Sequence, residues 1–141
     1  MRSSMAPDAF IDTSGFYSLL VKGDERHVEA ANFMRQASQN KRRLVTTDYV
    51  LDETATLLQA RGRGHLVLGF FESVFASRAC RIVWMDPDRF GRTKSLFLKS
   101  LGKNWSFTDC MSFLVMKELR LEEALTKDAH FVAAGFTPLL E

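Results

Sequence analysis

The chain is poor in the residues that mark special classes of protein. Its two cysteines, Cys80 and Cys110, lie far apart and without CxxC spacing, so neither a disulfide-stapled scaffold nor a zinc ribbon is encoded. Reduced thiols in a cytoplasmic protein are expected. The three histidines, His27, His65 and His130, show no HExxH or similar zinc spacing and read as surface or capping residues. No apolar run approaches the roughly 18 residues a membrane helix needs, and "MRSSMAPDAF" lacks the apolar centre of a signal peptide. Repeats, linkers and low-complexity tracts are missing as well. A large charge excess is also absent. The net charge of +2 is too small to establish a nucleic-acid partner, and Lys41, Arg42, Arg43, Arg61 and Arg63 read first as solvated surface clusters.

What is present is ordinary for a globular chain: 141 residues, 46% apolar and 26% charged. That length suits one domain, able to bury roughly two thirds of its unfolded surface. Only residues 1–7 look loose, which leaves 8–141 as the expected domain. Short apolar runs alternate with helical patterns. Strands are expected at Ala9 to Asp12, "RLVTT", "CRIVWM", "EALT" and "TPLL". Between them lie helices at "GFYSLLV", "HVEAANFMRQAS", "DYVLDETATLLQAR" and "HLVLGFFESVFAS", one running from Pro87 to about Leu101, then "TDCMSFLVMKELR" and "AHFVAA". Thr47 or Asp48 is placed to cap the third helix and Thr108 the sixth. With right-handed crossovers this order predicts an α/β fold, a three-layer α/β/α sandwich around a central, mostly parallel sheet.

In such a fold chemistry gathers outside the carboxyl ends of the strands. Asp12 falls at the end of the first strand, Asp128 just beyond the fourth, and Asp109 in the first turn of a helix, so all three can reach one edge. Glu53 has Tyr49, Val50, Leu57 and Ala60 at i±3 and i±4 or one turn beyond, an apolar stripe that predicts an inward-facing side chain. Asp52 shares the opposite face with Asp48 and Thr56 and is expected in solvent.

Carboxylates converging on one edge repel one another unless cations lie between them. An all-oxygen set without histidine or thiolate suits Mg²⁺ or Mn²⁺ rather than zinc. The matching chemistry is attack of metal-activated water on a phosphodiester. Three rivals fit less well. A phosphohydrolase with Asp12 as nucleophile wants a second carboxylate two residues on, where Ser14 stands. A receiver-like phosphoacceptor domain wants an acidic pair and a lysine, of which only Lys127 can be found. A non-catalytic interaction module would pair the acids with arginines.

Four segments, "FIDTSGFY", "TTDYVLDETATLL", "WSFTDCMSF" and "LTKDAHFVAAGF", taken in order across nearly the whole chain, resemble the PIN-domain family and its VapC-type toxins. Carried over residue by residue, the family's acidic cluster falls on Asp12, Glu53, Asp109 and Asp128. The resemblance implies small hydroxyl side chains supporting the metal at Ser14 and Thr108, with Thr126 assisting. Lys127 departs from the apolar or aromatic residue common at that position. The resemblance further implies a Mg²⁺- or Mn²⁺-dependent endoribonuclease acting on RNA, a homodimer, and inhibition by a small antitoxin. A house-keeping RNA-processing or DNA-active relative is the alternative. Arg61 and Arg63, ending the helix that bears Glu53, are the first candidates for RNA phosphate contacts. Trp105 reads first as a core or interface residue and second as a stacking platform for a base.

Overall fold

The computed structural model describes residues 7–140, so the loose terminus expected over 1–7 lies, Pro7 apart, outside the described residues. Five parallel strands form one sheet in the order β3-β2-β1-β4-β5: β1 Ala9–Ile11, β2 Leu44–Thr47, β3 Cys80–Val83, β4 Glu123–Leu125 and β5 Thr137–Pro138. The central strands β1 and β2 are buried at every residue. That is why their sequences are continuous apolar or β-branched runs and not alternating ones. Phe10 of β1 pairs with Val45 on one side and Ala124 on the other, which sets the register of the sheet's centre.

Seven α-helices are described: α1 Thr13–Leu20, α2 His27–Gln39, α3 Asp48–Ala60, α4 Val67–Ala76, α5 Pro87–Lys99, α6 Phe107–Glu118 and α7 Ala129–Ala133. Right-handed connections send the chain from β1 to β2 to β3 along one face and back through β4 and β5 along the other. The contacts agree: α1 packs on α2 and α3, and α3 on α4, whereas α6 packs on α5 and α7. Rings of Phe10, Phe113 and Phe131 meet in the core beneath the second layer, the last two edge to face at 4.9 Å. Trp105 packs its edge on Phe113 at 4.9 Å and is half-buried, in keeping with a packing role.

Several boundaries differ from expectation, each for a local reason. Asp12 ends no strand. Its backbone is extended and its carboxylate accepts the Gly15 N–H, so it caps α1, which begins at Thr13. The expected helix from His65 opens instead as a 3₁₀ turn, Gly64–Leu66, before α4. α6 is capped by Ser106 and not by Thr108. Ser106 Oγ accepts the Asp109 N–H while Asp109 Oδ2 accepts the Ser106 N–H, a reciprocal capping box. Thr108 therefore lies inside the first turn. Thr47 caps α3 by accepting from Val50 N–H, as the sequence predicts.

α1 approaches β4 closely enough that Gly15 has no room for a side chain, since a Cβ there would run into the Leu125 backbone carbonyl. This contact seats the N-terminus of α1 at the C-terminal ends of β1 and β4. Those two strands flank the point where the chain reverses its direction across the sheet, which is where an open α/β sheet leaves a crevice.

Candidate active site

The crevice is a cleft of about 180 Å³ whose walls include Asp12, Glu53, Asp109 and Asp128, with Ser14, Thr108 and Ser112 beside them. Four acids that the sequence spreads over the chain thus reach one space, each from a different element. Asp12 comes from the N-cap of α1, Glu53 from the middle of α3, Asp109 from the first turn of α6 and Asp128 from the N-cap of α7.

Asp12 is the deepest, with 6% of its surface exposed. One oxygen accepts the Gly15 N–H and the Ser14 hydroxyl, both at 2.9 Å, and the other accepts the Thr126 hydroxyl at 2.7 Å. Burial nevertheless pushes its carboxyl up to about 7, with the charge of Asp128 adding to the effect and the three hydrogen bonds opposing it. Thr126 also accepts the Asp128 N–H at 3.0 Å, and Ser14 accepts the Lys127 N–H at the same distance. These hydroxyls tie the loop after β4 to the start of α1.

Glu53 requires a correction. The helical stripe predicts an inward side chain, but Val50, Leu51, Thr54 and Leu58 fill the buried face of α3 and Glu53 is exposed at its margin. Its carboxylate turns into the cleft and accepts the Thr13 hydroxyl at 2.6 Å. Desolvation at the cleft wall raises its pKa, the Thr13 bond opposes this, and the charges of Asp109 and Asp128 raise it further. Asp52 lies in solvent as expected.

Desolvation also raises the Asp109 carboxyl, against the hydrogen bond from the Ser106 backbone and with the charge of Asp128 adding. Asp128 Oδ1 accepts the His130 N–H at 2.8 Å and so closes the first turn of α7. Among the described residues no lysine or arginine forms a salt bridge to any of the four acids. Lys127 pairs instead with Asp24 at 3.1 Å, outside the cluster. Acids paired with arginines, the expectation for a non-catalytic module, are thus not what the cleft holds.

The donor chemistry fits a hard divalent cation. The carboxyls of Asp12 and Asp109 are raised by burial and have no lysine or arginine bridged to them among the described residues, and the adjacent Cys110 thiol, pushed up to about 11 by burial, offers no thiolate. Thr108 lines the cleft, while its carbonyl accepts the Ser112 hydroxyl. Arg61 and Arg63 do not reach the cleft. Arg61 ends α3, about 12 Å along the axis from Glu53, with its guanidinium over the Tyr17 ring at 5.2 Å, and both arginines are exposed.

Ser106, Thr13 and His130 are not among the residues that the sequence assigns to the site. Ser106 was legible in principle, because "SFTD" carries the S-x-x-D pattern of a capping box. Thr13 carries no such signal, since its partner Glu53 is forty residues away in the chain. His130, by sequence a surface or capping residue, has its Nδ1 3.2 Å from Asp109 Oδ2 and 3.4 Å from Asp128 Oδ1.

Comparison with known proteins places the same frame in a wider setting. The family model described as PIN domain matches residues 9–137. The 23S rRNA-specific endonuclease VapC20 of Mycobacterium tuberculosis is 31% identical over 127 residues, covering 90% of this chain and 94% of the relative. A VapC ribonuclease of Archaeoglobus fulgidus is 29% identical over 125 residues, or 87% and 78% of the two chains. The crystal structure of M. tuberculosis VapC20, a sarcin-ricin loop cleaving toxin, superposes with a TM-score of 0.82 at 27% identity, covering 95% of this chain and all of that one. PAE2754 from Pyrobaculum aerophilum shares the fold at 15% identity, with a TM-score of 0.64 over 96% and 92% of the chains.

Proposed function

The chain belongs to the PIN-domain family, and from that premise we propose that it is a metal-dependent endoribonuclease, the toxin of a VapBC-type pair. One observation carries the reading: four carboxylates, none salt-bridged to a lysine or arginine among the described residues, open into one cleft at the switch point of the sheet. The relatives named as ribonucleases and endonucleases support RNA as the substrate. The carboxylates that line the cleft favour Mg²⁺ or Mn²⁺.

In this reading Asp12, Glu53 and Asp109 hold the principal ion, and Asp128 holds a second ion or the attacking water. When bound, the ion lowers the pKa of water and neutralises the leaving oxygen. The chain's own side chains prepare the ligands. Ser14, Thr126 and the Gly15 N–H fix the Asp12 carboxylate, Thr13 fixes Glu53, and the Ser106 capping box fixes Asp109. Thr108 stands where it can donate to a bound water. Val50 and Leu57 line the cleft beside Glu53 and limit bulk water there. Arg61 and Arg63, beyond the cleft, meet phosphates further along the strand.

An antitoxin finds support at the opposite edge. A second, apolar cavity of about 720 Å³ lies at the N-terminal ends of β2 and β3, walled by Leu19, Leu20, Met34, Phe70 and Val74 and rimmed by exposed Lys41, Arg43 and Arg78. Its chemistry suits an apolar protein segment that carries acidic residues. Self-association into a homodimer is supported by the exposed aromatics Phe75 and Trp84, whose rings meet at 6.3 Å, beside exposed Leu68.

Cleavage of purified RNA, including 23S rRNA, tests the function. Cutting at defined ends is expected with Mg²⁺ or Mn²⁺ and is expected to disappear in EDTA and in Asp12→Asn. Undiminished cleavage by both Asp12→Asn and Asp109→Asn would end the assignment of the cleft.

A further inference from the structure

We propose that His130 is itself a ligand of the second divalent ion, completing with Asp128 and a shared Asp109 a mixed nitrogen and oxygen face that favours Mn²⁺ over Mg²⁺. The inference rests on the metal-dependent reading above and deepens it. One donor atom from each of Asp109, Asp128 and His130 lies within 4.8 Å of the other two. His130 Nδ1 lies 3.2 Å from Asp109 Oδ2 and 3.4 Å from Asp128 Oδ1. Neighbouring ligands of an octahedral ion at about 2.1 Å stand about 3 Å apart, so small rotamer adjustments bring all three donors onto one centre.

The backbone holds the arrangement. Asp128 caps α7 by accepting the His130 N–H at 2.8 Å, which fixes the imidazole two residues on beside the same carboxylate. The capping box of α6 holds Asp109 from the other side. His130 has no packing duty that would explain its position, because Phe131 is the buried residue of α7. Its behaviour also differs from that of the other histidines: the Nδ1 of His27 lies 2.9 Å from the Ser18 carbonyl, and His65 is exposed. A neutral imidazole nitrogen suits the later first-row ions best, and of the two ions in question the transition metal Mn²⁺ accepts it more readily than Mg²⁺, which prefers oxygen and keeps its waters. The remaining acids, Asp12 and Glu53, bind hard ions without that preference.

Mn²⁺ binding to the purified full chain in the absence of RNA tests the proposal. Electron paramagnetic resonance of free Mn²⁺ yields the affinity, and competition yields that of Mg²⁺. His130→Ala is expected to weaken Mn²⁺ about tenfold or more and Mg²⁺ by less than about threefold. Pulsed resonance of the Mn²⁺-loaded wild type is expected to show coupling to a directly bonded nitrogen. That signal needs no variant and remains decisive should His130→Ala fold poorly. Mn²⁺ bound without nitrogen coupling, or equal losses for both ions in a folded His130→Ala, overturns the role of His130 and leaves the nuclease reading standing. A wild type that binds neither ion overturns both.

Discussion

Asp12 shows what a single buried carboxylate does to the whole energy balance. Its pKa of about 7 in the folded chain against an ordinary 3.8 means that folding resists its ionisation. Between those values the unfolded chain releases a proton that the folded chain keeps, so the metal-free protein loses stability as pH rises from about 4 to 7. The loss levels off above 7 at roughly 4 kcal/mol for this group. Glu53 and Asp109 shift in the same direction and reinforce the trend. Asp12→Asn removes the ionisation while keeping an oxygen for the Gly15 N–H. It is therefore expected to melt higher than wild type in EDTA at pH 8 and to lose that advantage near pH 4, as thermal melts at both values would show. A lower melting temperature at pH 8 would mean that hydrogen bonding outweighs desolvation at this position.

Two helix N-termini carry most of the site's precision. The capping box of α6 satisfies its backbone donors and at the same time orients Asp109 toward the cleft. Ser106→Ala is expected to lower stability by about 1 kcal/mol, read from denaturant melts, and also to weaken divalent-ion binding, because the Asp109 N–H loses its Ser106 Oγ acceptor and the turn that holds the Asp109 carboxylate against the backbone N–H of residue 106 loosens. α1 depends on Gly15 for a different reason: the obstacle there is the Leu125 carbonyl, part of β4 and unable to move alone. Gly15→Ala is expected to cost about 3 kcal/mol and to separate Asp12 from Thr126, with lower melting temperature and lower ion affinity together. Ser106 and Thr108 are both good caps, and what decides between them is the reach of Asp109 back to the Ser106 N–H.

At the scale of the molecule, the cleft couples ion binding to folding. An ion that binds only the folded chain stabilises it by about 2.7 kcal/mol at a hundredfold excess over Kd, or roughly 5–10 °C for a chain of this size. Scanning calorimetry at pH 8 is expected to show that rise with Mn²⁺, and a smaller one near pH 5, where protons compete for the carboxylates. The exposed Leu68, Phe75 and Trp84 surface sits on α4 and just beyond β3, remote from Asp128 and His130 in the chain. Phe75→Glu is expected to shift the protein toward monomer in analytical ultracentrifugation while leaving ion affinity unchanged.

The sequence alone is enough for the alternation of strand and helix and for the parallel sheet, because these follow from local periodicity, and strand ends and short motifs single out the four candidate acids. Asp12 and Asp128 could be assigned to one edge from their position just after β1 and β4. The tertiary structure decided what depends on distant partners: that Glu53 stands at the rim of a cleft with Thr13 bonded to it, that Asp12 is desolvated enough to hold its proton near neutral pH, and that His130 faces two carboxylates. Periodicity reports which face of a helix is apolar, but it carries no information about which polar groups from other elements meet that face. Those meetings arise only when the crossovers bring α1, α3, α6 and α7 to the same end of the sheet.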